Sequence, residues 1–138
     1  MKRKTAAITV LTIVSTGILT ALPAFAEGSW SGSMTSVTTG FESRRWSDMD
    51  SDTAATTIKL YNCRNYLGSG TNVNAYLELF KDRFGPDPSV GTKTFTNCGT
   101  SAGSTQSWGR GTQDDYYFVF QGSNSGNASF SSSVTVKY

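Results

Sequence analysis

A chain of 138 residues with 12 Lys and Arg, 10 Asp and Glu and no histidine is long enough for one domain with its own core. The missing imidazole excludes Ser-His-Asp and Cys-His catalysis, histidine-ligated zinc and the usual general base near neutral pH. The formal charge of +2 rests on Lys2, Arg3 and Lys4; without them nine basic side chains stand against ten acidic ones, scattered except for Arg44-Arg45, so no electrostatic footprint for nucleic acid or anionic lipid is expected.

After that basic start comes an apolar run from Ala6 to Leu22, broken by threonines, Ser15 and Gly17, and then the small-residue exit Ala24-Phe25-Ala26. This is the pattern of a secretory signal over residues 1–26, cleaved rather than retained as an anchor. A single secreted domain over residues 27–138, with no membrane span after removal of the signal, is the expectation. Export would place Cys63 and Cys98 in an oxidising compartment, where a disulfide is favoured over metal ligation or a reactive thiol.

Beyond the leader, Ser, Thr, Gly and Asn alternate with β-branched and aromatic residues, a mixture that suits strands joined by polar turns and starves helices. The first strands fall at Met34–Thr39 and Phe41–Trp46, on either side of a bulge or kink at Gly40. Thr53–Cys63 follows. Then Val73, Ala75, Leu77 and Leu79 alternate with Asn74, Tyr76, Glu78 and Phe80. Residues 74–84 also carry a helical spacing, Tyr76, Leu79, Phe80 and Arg83, before the Gly85-Pro86 stop; the surrounding strands tip the reading to β.

Thr92–Cys98 is the next strand, and "GTSAGSTQSWGRGTQ" reads as the long loop, with Trp108 inside it as a plug on the core or a contact residue. Finally "YYFVFQ" and "ASFSSSVTVKY" flank "GSNSG", a hairpin signal. The first of these two strands is apolar on both faces and belongs at the centre of a sheet. About seven strands predict an all-β antiparallel β-sandwich with one disulfide.

The stretch "WSDMDSDT" places Asp48, Asp50 and Asp52 at the first three ligand positions of a D-x-D-x-D calcium loop. Thr53 stands where the sharp turn wants glycine, and Lys59 where a bidentate glutamate is needed. Calcium is thus the one metal the pattern suggests, against an ordinary solvated turn beside Arg44 and Arg45; no other cofactor is implied. Hydrolysis of a glycosidic bond needs two facing carboxylates, one with a raised pKa. The nearest approach is Glu78 and Asp82, on one strand face with Tyr76 and Phe80, which also suits a sugar-binding or merely solvated sheet face. No S-x-x-K pattern offers lysine-activated serine chemistry, and "GTKT" lacks the Gly-Lys adjacency of a phosphate loop.

The 3 Trp, 6 Tyr and 8 Phe leave aromatic residues over for a surface. Trp46, Tyr76, Glu78, Phe80 and Trp108 are the candidate ligand-binding residues, with Trp30, Tyr66 and Tyr138 also near strand ends or in loops. The junction "AEGSW", followed by a Ser/Thr-rich β pattern and an aromatic-rich end, resembles the lactococcin-type bacteriocins, small exported β-sandwich proteins of Gram-positive bacteria. The chain departs from them in its length, its two cysteines and its lack of histidine. The resemblance implies a secreted bacterial factor acting at another cell's envelope.

The leading functional expectation is a non-enzymatic extracellular protein that binds another protein or an envelope glycan. A secreted antimicrobial or inhibitory factor is the second reading, and a carboxylate-based hydrolase the third.

Overall fold

The computed structural model describes residues 27–70 and 72–138; the expected signal at 1–26 lies outside the described residues. Every regular element among them is a strand: β1 (Ser29–Val37), β2 (Trp46–Asp48), β3 (Ala55–Asn65), β4 (Gly68–Ser69), β5 (Ala75–Lys81), β6 (Ser89–Phe95), β7 (Ser104–Arg110), β8 (Asp114–Ser123) and β9 (Phe130–Lys137). They form two antiparallel sheets. Sheet A runs β1-β9-β3-β4, with β7 also paired to β3, and sheet B runs β2-β8-β5-β6.

The two sheets bury the alternating apolar residues between them. Ile58 and Leu60 of β3, Val134 and Val136 of β9 and Met34 of β1 meet Leu77 and Leu79 of β5 and Tyr116, Phe118 and Phe120 of β8. Phe120 stacks on Phe130 with ring centroids 4.7 Å apart, joining the end of one sheet to the start of the other. Residues 74–84 therefore hold a strand, as the period-two pattern predicts, and β8 lies inside its sheet between β2 and β5.

Two bulges set which side chains enter the core. Ser36 and Asn62 adopt left-handed φ values of 51° and 53°, where the pairing of β1 and β3 with β9 shifts register. Each extra residue flips the inward set, from Met34 to Val37 and from Leu60 to Cys63. Cys63 consequently points inward and bonds to Cys98, with Cα atoms 5.3 Å apart. The disulfide links sheet A to the turn that follows β6 of sheet B. Closing a loop of 35 residues' separation stabilises the fold by about 4 kcal/mol on the chain-entropy estimate.

Three expected elements differ. Phe41–Trp46 is not one strand: Gly40 and Ser43 donate backbone bonds to β8, but the Ser43 hydroxyl takes the Phe118 amide, which interrupts the ladder before β2. The stretch expected as a long loop contains β7, seven residues paired to β3. The tight turn at "GSNSG" forms, with Ser123 and Gly126 exchanging backbone bonds. It does not make a hairpin, because β8 belongs to sheet B and β9 to sheet A.

Candidate functional site: an acid-free sheet face

Because the even-numbered residues from Thr56 to Leu60 and from Phe130 to Val136 enter the core, their neighbours Thr57, Lys59, Tyr61, Ser133, Thr135 and Lys137 project outward. The register lines them into rows. Ser31, Thr135, Lys59 and Thr105 lie side by side across β1, β9, β3 and β7, and Ser29, Lys137, Thr57 and Ser107 form the next row. Thr57, Lys59, Tyr61, Thr105, Thr135 and Lys137 line a shallow groove of about 340 Å³.

The chemistry of this face is uniform. Outward side chains in the two rows are hydroxyls or ammoniums, and β1, β3, β4, β7 and β9 contain no Asp or Glu. Ser31 and Thr135 share a hydroxyl hydrogen bond of 2.9 Å, and the Lys59 ammonium lies 5.4 Å from the centre of the Tyr61 ring. Among the described residues neither Lys59 nor Lys137 enters an ion pair. Their charges remain uncompensated.

The outer face of sheet B is the opposite case. The predicted juxtaposition of Tyr76, Glu78 and Phe80 on one side of β5 is present, opposite the core-facing Leu77 and Leu79. Its polar groups are engaged with one another. Glu78 accepts from Ser89 Oγ at 2.5 Å and from Gln121 Nε2 at 2.8 Å. Asp82, the expected partner of Glu78, is bound by Arg45, which also pairs with Glu42. Phe80 stacks on Tyr117 at 5.5 Å, and the Arg45 guanidinium covers that ring at 4.2 Å.

Titration follows these contacts. Burial, reinforced by the hydrogen bond to Asp87, pushes the Tyr117 hydroxyl up to about 12. Asp87 is held below the usual carboxylate range by the Arg83 amide and the Tyr117 hydroxyl. The Arg83 guanidinium, bonded to Asp114, holds that carboxyl down as well. A glycosidic general acid needs the reverse displacement.

The aspartate stretch does not assemble a cage. Asp48 is buried and accepts from the Asp50 amide at 2.9 Å and from Thr56 Oγ1. Asp50 pairs with Arg110 at 2.7 Å, and Asp52 accepts from the Ala54 amide. Among the described residues no three or more metal-ligating side chains converge. The three carboxylates of the turn thus take different partners, and Asp52 Oδ2 is buried without one among the described residues. Glu27 braces the turn by accepting from the Met49 and Ser51 amides.

The tryptophans are mostly core. Trp46 is 4% exposed and packs between Tyr116, Tyr138 and Trp30, which corrects its assignment to a binding surface. Trp108 is half-buried; it leans on Phe95 and donates its indole N–H to the Gly91 carbonyl. Two loop aromatics stand free in solvent among the described residues, Tyr66, 82% exposed beside Leu67, and Phe84 in the turn between β5 and β6. Sequence reasoning passed over Lys59 and Lys137, although "TTIKLY" and "SVTVKY" each alternate a lysine and threonine with apolar residues.

No family model matches the chain, so the bacteriocin resemblance gains no support there, and no curated protein matches it. Among solved structures it is similar in outline to one described as "CBM32 of AlyQ in complex with 4,5-unsaturated mannuronic acid". The identity is 13%, the match covers 80% of this chain and 76% of that one, and the TM-score is 0.43. A likeness of that degree carries no argument about ligand or activity.

Proposed function

We propose that this chain is a non-enzymatic extracellular β-sandwich that binds an acidic envelope glycan across the outer face of sheet A. One observation carries the reading: two unpaired lysines sit among rows of serine and threonine hydroxyls on a face whose strands contain no carboxylate. A glycan bearing carboxylates or phosphates offers charge to the ammoniums and hydroxyls to the rows. A neutral glycan would leave both ammoniums without a counter-charge. A nucleic acid would call for more cations and for stacking aromatics, whereas this groove supplies two lysines and the single ring of Tyr61.

The test is calorimetric titration with polygalacturonate, uncharged pullulan and single-stranded DNA. Polygalacturonate should bind, weaken as salt rises, and lose at least about tenfold in affinity in the Lys59→Gln/Lys137→Gln double variant, since each charge-assisted contact is worth about 1.5 to 3 kcal/mol. Binding of pullulan or DNA as tightly, or a double variant indistinguishable from wild type, would overturn the reading. Release of reducing ends that disappears in Glu78→Gln would replace it with the hydrolase.

A further inference from the structure

The two sides of the sandwich are not alike. Trp108 ties β7 to β6 on one side, while on the other β1 is an unpaired edge facing the segment 41–44. Between them opens a cleft of about 230 Å³, walled by Trp30, Met34, Phe41, Phe118 and Val134. Trp30 stacks nearly parallel to Phe118, 10° between planes.

The cleft exists because of Gly32. In β1 the inward positions read Trp30, Gly32, Met34, so a hydrogen stands where the alternation calls for an apolar side chain. The backbone does not demand glycine, since Gly32 is not among the positive-φ residues. Nor does space: a Cβ there would meet only the Trp30 ring at 3.6 and 3.9 Å and Val134 at 4.0 Å, ordinary contacts. Omitting the side chain costs strand stability and leaves room.

The rim is polar and cationic. Ser31, Ser33 and Ser43 border the cleft together with Arg44, whose guanidinium lies 5.5 Å over the Trp30 ring. Unlike Arg45, Arg44 has no carboxylate partner among the described residues. The Trp30 indole N–H is buried without an acceptor.

We infer that this edge cleft is a second binding site, for a small apolar carboxylate whose hydrocarbon enters between Trp30 and Phe41 and whose charge rests on Arg44. The volume lies below the range of drug-sized pockets, which limits the body to a short chain or single ring. No residue is common to the linings of the cleft and of the sheet A groove, which adjoin where Ser31 on the cleft rim bonds to Thr135 of the groove.

Octanoate and octanol are the probes, read by tryptophan fluorescence of the purified protein. Octanoate should bind saturably and at least tenfold more tightly than octanol. Arg44→Gln should bring octanoate down to the level of octanol, and Gly32→Leu should abolish binding of both while leaving the protein folded. Absence of octanoate binding, equal affinity for the two probes, or retention of binding in folded Gly32→Leu would overturn the assignment. Should Gly32→Leu not fold, amide shifts on the wild-type protein decide: octanoate must perturb residues 30–34 and 41–44, and perturbations centred elsewhere refute it.

Discussion

The indole N–H of Trp108 donates to the carbonyl of Gly91 at 2.8 Å, across the seam where the edge of one sheet meets the edge of the other. Trp108→Phe keeps a ring against Phe95 but leaves that carbonyl without its donor, and should cost about 1 kcal/mol in urea denaturation. Trp108→Ala also loses the packing and should cost about 2 to 3 kcal/mol. Neither should alter glycan affinity; a loss of affinity at unchanged stability would make Trp108 a contact residue instead.

Reducing the Cys63–Cys98 bond, or replacing both cysteines by alanine, should lower stability by about 4 kcal/mol and the melting temperature by about 10 to 20 °C. Thermal melts with and without reductant measure this. A midpoint indifferent to reductant would mean that core packing alone holds Cys63 and the turn at Cys98 together.

Asn62 supplies the left-handed residue that turns Cys63 inward. Asn62→Ala should destabilise by about 1 kcal/mol, because a Cβ disfavours that conformation and alanine lacks the local hydrogen bonding asparagine offers. Asn62→Gly should be close to neutral, its free φ offsetting its unfolded-state entropy. Equal urea midpoints for wild type and Asn62→Ala would refute the bulge.

The Tyr117–Asp87 hydrogen bond of 2.7 Å makes stability fall at both pH extremes. Tyr117 is raised from 10.0 to about 12 in the folded state, so the native protein keeps the phenol proton longer than the unfolded chain. Its contribution is whole below pH 10 and is lost as pH rises towards 12. Asp87 is lowered, so its contribution is whole above the unfolded carboxylate value and is lost as pH falls through the folded one. Thermal melts of Tyr117→Phe should show less alkaline loss than wild type, and a spectroscopic titration of wild type should contain a step near pH 12 that the variant lacks.

Periodicity made the core strands legible, since alternation in residues 73–80 and apolar faces in 116–120 are local signals. The misread regions depended on distant partners. Ser-Thr-Gln-Ser-Trp has the composition of a loop, and it becomes a strand through pairing with β3 and the bond to Gly91. Likewise the turn at 122–126 is local, but β1 and β3 decide which sheet β9 joins. The same applies to the site. Lys59 and Lys137 lie far apart in the chain, and only the order β1-β9-β3 with β7 beside it brings their rows together, whereas the aspartates that looked conspicuous in sequence are tied to separate neighbours.

Charge that is scattered along the chain is sorted by layer once folded: the carboxylates lie outside the strands of sheet A, which hold Lys59, Arg64, Arg110 and Lys137. The described residues, which hold nine basic and ten acidic side chains, are therefore polarised through the thickness of the sandwich. Approaching a negatively charged surface, it experiences a torque more than a net pull, and that torque turns the hydroxyl rows toward the surface before any contact forms.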